Sequence, residues 1–237
     1  MTKTLHRPEK PHKITRASLA DGAVARMATE RDGKDTIVAS DEDLLRSRQQ
    51  FIPDDYDCDD IWVFGYGSLI FNPVMEHSER LFARVYGHHR RFCLWTKIGR
   101  GSPEFPGLVL ALDRGGSCPG VGFKLPRDLA IAELDLLWKR EMITLAYRPT
   151  WLKLHTEKGI KRGIGFVANP ARPVFAPRMT FDETAHVIAN AAGFLGPCHD
   201  YLFNTLHGLQ ELGISDPTME KLAAKVEHKL ASSDHIR

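Results

Sequence analysis

With 32 lysine and arginine residues against 30 aspartate and glutamate residues, this 237-residue chain has a formal net charge of +2. That balance offers no electrostatic case for a nucleic-acid partner, and no apolar run reaches membrane-spanning length. An apolar content of 43% is ordinary for a globular protein of one large or two small domains.

The four cysteines, Cys58, Cys93, Cys118 and Cys198, are widely spaced and include no Cys-x-x-Cys. The eleven histidines contain no His-Glu-x-x-His. No metal centre is therefore expected, and reduced thiols in a cytoplasm are, although spacing alone leaves disulfide pairing open.

Residues 1 to about 40 are polar and basic at the start, which predicts a tail or irregular arm. Glu9 and Asp21 argue against a transit peptide. Ser40 and Asp43 can cap a short helix through Leu44 and Leu45. The aspartates at 54, 55, 57, 59 and 60 form an acidic linker that lacks the glycine and terminal glutamate of a calcium loop. We therefore divide the chain into an N-terminal arm, 1–60, and a folded domain, 61–237.

The domain opens with a strand from Ile61 through Phe64. Residues 82–95 are rich in aromatic and β-branched positions and predict a long strand. His88-His89-Arg90-Arg91 inside it suits a partly solvated strand better than a metal or nucleic-acid site. Strands are expected over 108–112 and 121–125, with Gly115 and Gly116 as the turn between them. Pro126 starts a helix with an apolar stripe of Leu129, Ala132 and Leu136. In it, Glu133 and Asp135 fall on the solvated face. Strands over 147–156 and 161–168 follow. Thr180 and Glu183 then form a capping box, and helices over 198–211 and from Pro217 close the chain. Strands before helices predict an α+β domain on a largely closed sheet.

The turn after the first strand is Gly65-Tyr66-Gly67-Ser68. Gly-x-Gly here is either an ordinary strand-end turn or a nest of N–H groups that holds an anion. A dinucleotide fingerprint needs glycine where Ile70 stands, and neither a nucleophile elbow nor a P-loop fits. Glu141 follows the apolar Leu136-Leu137-Trp138 and precedes Met142 and Ile143. Such surroundings raise a carboxyl pKa towards that of a general acid/base. The competing reading, weightier from position alone, is a structural ion pair with Arg140 or Arg148. Tyr66, Tyr147 and Tyr201 are core residues with satisfied hydroxyls unless a ligand reaches them. Cys198 sits at a helix start that can lower a thiol pKa, although a cap-region role fits it better.

Taken in order, several stretches resemble the ChaC family of γ-glutamylcyclotransferases. They are Val63 to Ile70, Arg90-Arg91-Phe92, Arg100-Gly101-Ser102-Pro103 through Gly107, Arg140-Glu141 with Tyr147 beyond, and Gly196 to Leu202. The resemblance covers roughly 61–212. It implies a γ-glutamylcyclotransferase-like mixed β-barrel with flanking α-helices and a reaction that needs no cofactor or metal. The implied substrate is glutathione, closed to 5-oxoproline with release of cysteinylglycine. Glu141 is the implied catalytic residue. Tyr66, Gly67, Ser68, Leu69, Tyr147 and Tyr201 are the implied substrate-binding residues. The rival readings are a cyclotransferase for other γ-glutamyl dipeptides or amines, a non-catalytic γ-glutamyl-binding protein, and a hydrolase using Ser68. A small-molecule partner is expected, with no nucleic acid or membrane, and the oligomeric state stays open.

Overall fold

The computed structural model describes residues 14–31 and 38–234. Three helices, α1 (Arg16–Ala20), α2 (Ala23–Arg31) and α3 (Asp41–Phe51), precede the sheet. Then come β1 (Trp62–Gly65), α4 (Ser68–Phe71), β2 (Glu79–Thr96), β3 (Gly107–Lys124) and α5 (Ala130–Glu141), the last entered through one 3₁₀ turn. They are followed by β4 (Tyr147–Thr156), β5 (Gly159–Ala168), α6 (Phe181–Asn190), the two-residue strands β6 (Ala192–Gly193) and β7 (Gly196–Pro197), α7 (Cys198–Glu211) and α8 (Pro217–Asp234). β1 to β5 form a closed barrel in the order β1-β3-β2-β4-β5, and β5 returns beside β1 in parallel. The architecture is the mixed α+β barrel with flanking helices.

β1 shows why the barrel has cores on two sides. Side chains alternate along a strand. Trp62 and Phe64 pack into one core together with α6, α7 and α8. Val63 points into the other, built on α5 and the C-terminal end of α7. All four strand residues are buried, so both faces must be apolar.

Gly115 and Gly116 do not turn the chain. β3 runs unbroken from Gly107 to Lys124 and pairs with β2 along its length, so the hairpin loop is 97–106 instead. The register shifts between Tyr86 and His88, where Gly87 (φ 81°) faces Gly115 (φ 96°) and Gly116 (φ 69°). Glycines on both strands take the left-handed conformation there and bend the ribbon at a bulge. Two glycines between apolar runs look alike in either role.

The stretch expected as an irregular arm carries helices in its described part; its basic start, 1–13, lies outside the described residues. Leu19 and Val24 pack with Leu136 of α5, which gives short amphipathic segments the tertiary partner they need. Ser40 does cap α3, accepting from the Asp43 N–H. Glu133 is not on a solvated face: it is 2% exposed, and Arg16 grips it. Asp135 accepts from Arg48 Nε at 2.6 Å. Both partners come from far along the chain, which local sequence cannot reveal.

Arg90 of β2 ties three elements to the turn after β1. Its side chain is 1% exposed. Nε donates to the Tyr66 carbonyl at 2.5 Å, Nη2 to the Pro119 carbonyl at 2.6 Å, and Nη1 pairs with Asp216 just before α8. Arg90→Met strips the donors from two carbonyls and a carboxylate at once. It should cost about 3–5 kcal/mol, read as a lower urea midpoint with unchanged slope.

Candidate active site

β1 stops at Gly65 and α4 starts at Ser68, so the chain turns from strand to helix within two residues. Ile70 N donates to the Gly67 carbonyl at 2.9 Å and Asn72 N to the Ser68 carbonyl at 2.9 Å, closing the helix. First-turn N–H groups of a helix have no acceptor within it. A Cβ on residue 67 would stand 3.1 Å from the Tyr201 hydroxyl, so only glycine lets the turn approach that side chain without crowding it.

The structure brings Tyr66, Gly67, Ser68, Leu69, Glu141, Tyr147 and Tyr201 to the wall of one chamber of about 20 Å³, completed by Leu110 and Phe166. They arrive on four elements and one turn: the turn, α4, the end of α5, the start of β4 and the first turns of α7.

Glu141 is the last residue of α5, and its side chain is 13% exposed. Burial raises its pKa, and the nearby Arg140 guanidinium opposes that rise. Arg140 Nε lies 3.0 Å from Oε1, yet Oε1 receives no hydrogen bond, so the two are paired by charge without an aligned N–H. The remaining Arg140 donors are engaged elsewhere. Nη2 donates to Ser68 Oγ at 2.9 Å and Nη1 to the Asn72 carbonyl. Glu141 is therefore ion-paired with Arg140, through an oxygen that accepts no hydrogen bond.

Two of the three tyrosines donate to backbone carbonyls. Tyr66 donates to the Phe166 carbonyl at 2.6 Å and Tyr147 to the Leu110 carbonyl at 2.9 Å. Burial pushes the pKa of Tyr66, Tyr147 and Tyr201 well up, and the Glu141 charge adds to the effect at each. The Leu110 backbone opposes that rise at Tyr201. Its ring meets Phe71 and Phe92 edge-on.

Ser68 Oγ has a guanidinium as its partner, which cannot act as a base, so nothing there activates it as a nucleophile. Cys198 donates to the Leu108 carbonyl at 3.1 Å, and burial pushes its thiol up to about 11, against the lowering that a helix start can bring. Leu110 and Phe166 were not singled out from the sequence, whereas Arg140 was named as a possible ion-pair partner of Glu141. Arg140 alone left a signal there, as a cation directly before the carboxylate on an apolar helix. Across Tyr147 lies a wider cavity of about 720 Å³, walled by Trp95, Val109, Pro173 and Val187. Glu141 lines the smaller chamber and not this cavity.

The closed barrel thus holds one buried, under-bonded carboxylate against a glycine turn, an arrangement able to take up and return a proton. Comparison with known proteins identifies the family. The family model described as "ChaC-like protein" matches residues 61–229, and the chain belongs to that family. It is 40% identical over 174 residues to the glutathione-specific γ-glutamylcyclotransferase of Escherichia coli K12, spanning 73% of this chain and 75% of that protein. Human glutathione-specific γ-glutamylcyclotransferase 1 is 28% identical over 183 residues, spanning 75% and 82%. The crystal structure of a γ-glutamyl cyclotransferase specific to glutathione from yeast shares the fold, with a TM-score of 0.64 at 23% identity, covering 71% of this chain and 96% of that one.

The raised Glu141 pKa has a consequence for stability. Between the ordinary glutamate pKa and the raised one, the folded protein binds more protons than the unfolded chain, so stability falls as pH rises through that window. Glu141→Gln removes this loss. The variant should exceed the wild type in stability at pH 7, with the gap closing below the ordinary glutamate range. Denaturant titrations at pH 4 and pH 7 measure it.

Proposed function

We propose that this protein is a γ-glutamylcyclotransferase acting on glutathione and releasing 5-oxoproline and cysteinylglycine. The observation that carries the reading is the buried Glu141 carboxylate, whose Oε1 accepts no hydrogen bond, on the wall of a chamber it shares with the Gly67–Leu69 turn. The two relatives named above, at 40% and 28% identity, are glutathione-specific by name.

The reaction closes a ring within one molecule. The α-amino nitrogen of the glutamyl group bonds to its own γ-carbonyl carbon, and the bond from that carbon to the cysteine nitrogen breaks. Glu141 takes the proton from the attacking amine and returns it to the departing one, so it ends as it began. The intramolecular attack needs the chain held folded, and correct orientation alone gives a large advantage. The N–H groups of Gly67, Ser68 and Leu69 receive the glutamyl end. Tyr147 spends its proton on the Leu110 carbonyl, and a substrate oxygen competes for it. At about 20 Å³ the chamber has room for one water-sized group. The walls must part for a γ-glutamyl chain, and the cavity beyond Tyr147 has space for the leaving half. We place the reaction in the cytoplasm, where glutathione is kept reduced; the four cysteines are free and buried.

Purified protein with reduced glutathione should yield 5-oxoproline and cysteinylglycine in equal amounts, with no free glutamate, by mass spectrometry. Free glutamate would mean hydrolysis and would return Ser68 to contention. Cyclisation of other γ-glutamyl amides with glutathione untouched would move the substrate assignment. Glu141→Gln should lower turnover by roughly a thousandfold while still binding glutathione. Ser68→Ala, which removes only an acceptor for Arg140, should keep activity within about tenfold of wild type.

A further inference from the structure

Residues 14–60 lie outside the family match at 61–229, yet the first of them reach the elements that set the site. Arg16 Nη1 and Nη2 donate to Glu133 Oε2 and Oε1 at 2.6 and 2.9 Å, and Nη1 also donates to the Val74 carbonyl at 2.9 Å. Glu133 Oε2 accepts from the Glu76 N–H at 3.0 Å. Asn72 Nδ2 donates to the Ile14 carbonyl at 3.0 Å. On the far side of Glu141, Ala39 N donates to the Ile143 carbonyl at 2.8 Å.

The two segments held this way contain the two non-glycine residues with positive φ among the described residues, Val74 (φ 53°) and Leu145 (φ 54°). For a β-branched residue such as Val74 this is a costly conformation, one that persists only where its surroundings impose it. Both lie next to chemistry. Asn72, two residues before Val74, presents the carbonyl that holds Arg140 Nη1, and Arg140 in turn stands against Glu141. Leu145 lies in the link from Glu141 to Tyr147. An unbroken series of contacts thus runs from Ile14 through Asn72 and Arg140 to Glu141.

We propose that Ile14, Arg16 and Ala39 clamp these two strained turns in place, and that Arg16, Glu133 and Asn72 are positioning residues acting on Glu141 through Arg140. The inference rests on Glu141 being the acid/base of the proposed reaction. Glu141 is faced by Arg140 from its own helix, by Tyr66 after β1, by Tyr147 on β4 and by Tyr201 on α7. Arg140 is the cation among them. Loosening its seat weakens the opposition to burial, and Glu141 then holds its proton to higher pH.

The test compares Arg16→Lys, which keeps the charge and loses the two-pronged grip, with the double variant R16M/E133M. The double variant removes both charges and leaves no buried carboxylate unpaired. The kcat for glutathione should fall about tenfold in the double variant and less in Arg16→Lys, with KM within about twofold. The acid limb of the kcat profile should move to higher pH. Arg46→Ala, on the exposed face of α3, should match the wild type.

Folded variants with wild-type kcat and an unmoved acid limb overturn the clamp. So does a fall in kcat with the limb unmoved, since a purely structural role gives that. Should the double variant not fold, Arg16→Lys decides alone. If the wild type itself does not cyclise glutathione, the functional reading fails separately. The clamp is then read from the pH dependence of unfolding, whose Glu141-linked loss must extend to higher pH in the variants.

Discussion

A carboxylate held out of water beside one imperfectly aligned cation is the constraint on which the rest of this structure depends. Arg140 is bound at three places: the Ser68 hydroxyl, the Asn72 carbonyl and, by charge alone, Glu141. A fully aligned pair would hold Glu141 ionised and idle. No pair at all would leave burial unopposed, and the group would stay protonated. In the proposed reaction the intermediate arrangement lets Glu141 take and return a proton, and it depends on α4, the turn at Asn72 and the end of α5 keeping their spacing.

The surrounding fold supplies that spacing with apolar walls and few polar contacts. β1 is buried on both faces, so its end cannot slide without disturbing two cores. Arg90 fixes the Tyr66 carbonyl from behind, and the tyrosine hydroxyls are tied to the carbonyls of Phe166 and Leu110. Each tie joins an element next to the chamber to a strand or helix of the barrel shell. The site is positioned from the backbone of the barrel outward, which is how precise geometry survives on a turn of four residues.

What the sequence revealed follows the range of each interaction. Capping is local, and Thr180 with Glu183 forms the box its spacing promised. The apolar flanks of Glu141 are adjacent in the chain, so its burial was legible. Glu133 and Asp135 sit on the same helix, and their flanks looked solvated because their partners are 117 and 87 residues away. Gly115 and Gly116 misled for another reason: positive φ serves a hairpin turn and a bulge equally, and strand pairing decides between them. Tyr201 was given a substrate-binding role by the family resemblance alone, because its approach to Gly67 depends on how α7 docks on the barrel.

The same long separations order events in time. Arg16 leaves the ribosome well before Glu133, and at ordinary rates of synthesis the gap is roughly ten seconds. During that interval Arg16, Leu19 and Val24 have no Glu133 or Leu136 to meet. The barrel cannot close earlier either, because β5 must return beside β1. Contacts this distant are slow to form, so the nascent chain carries its first helices as solvated, uncommitted segments. The Glu141 carboxylate is seated only after most of the protein has been made.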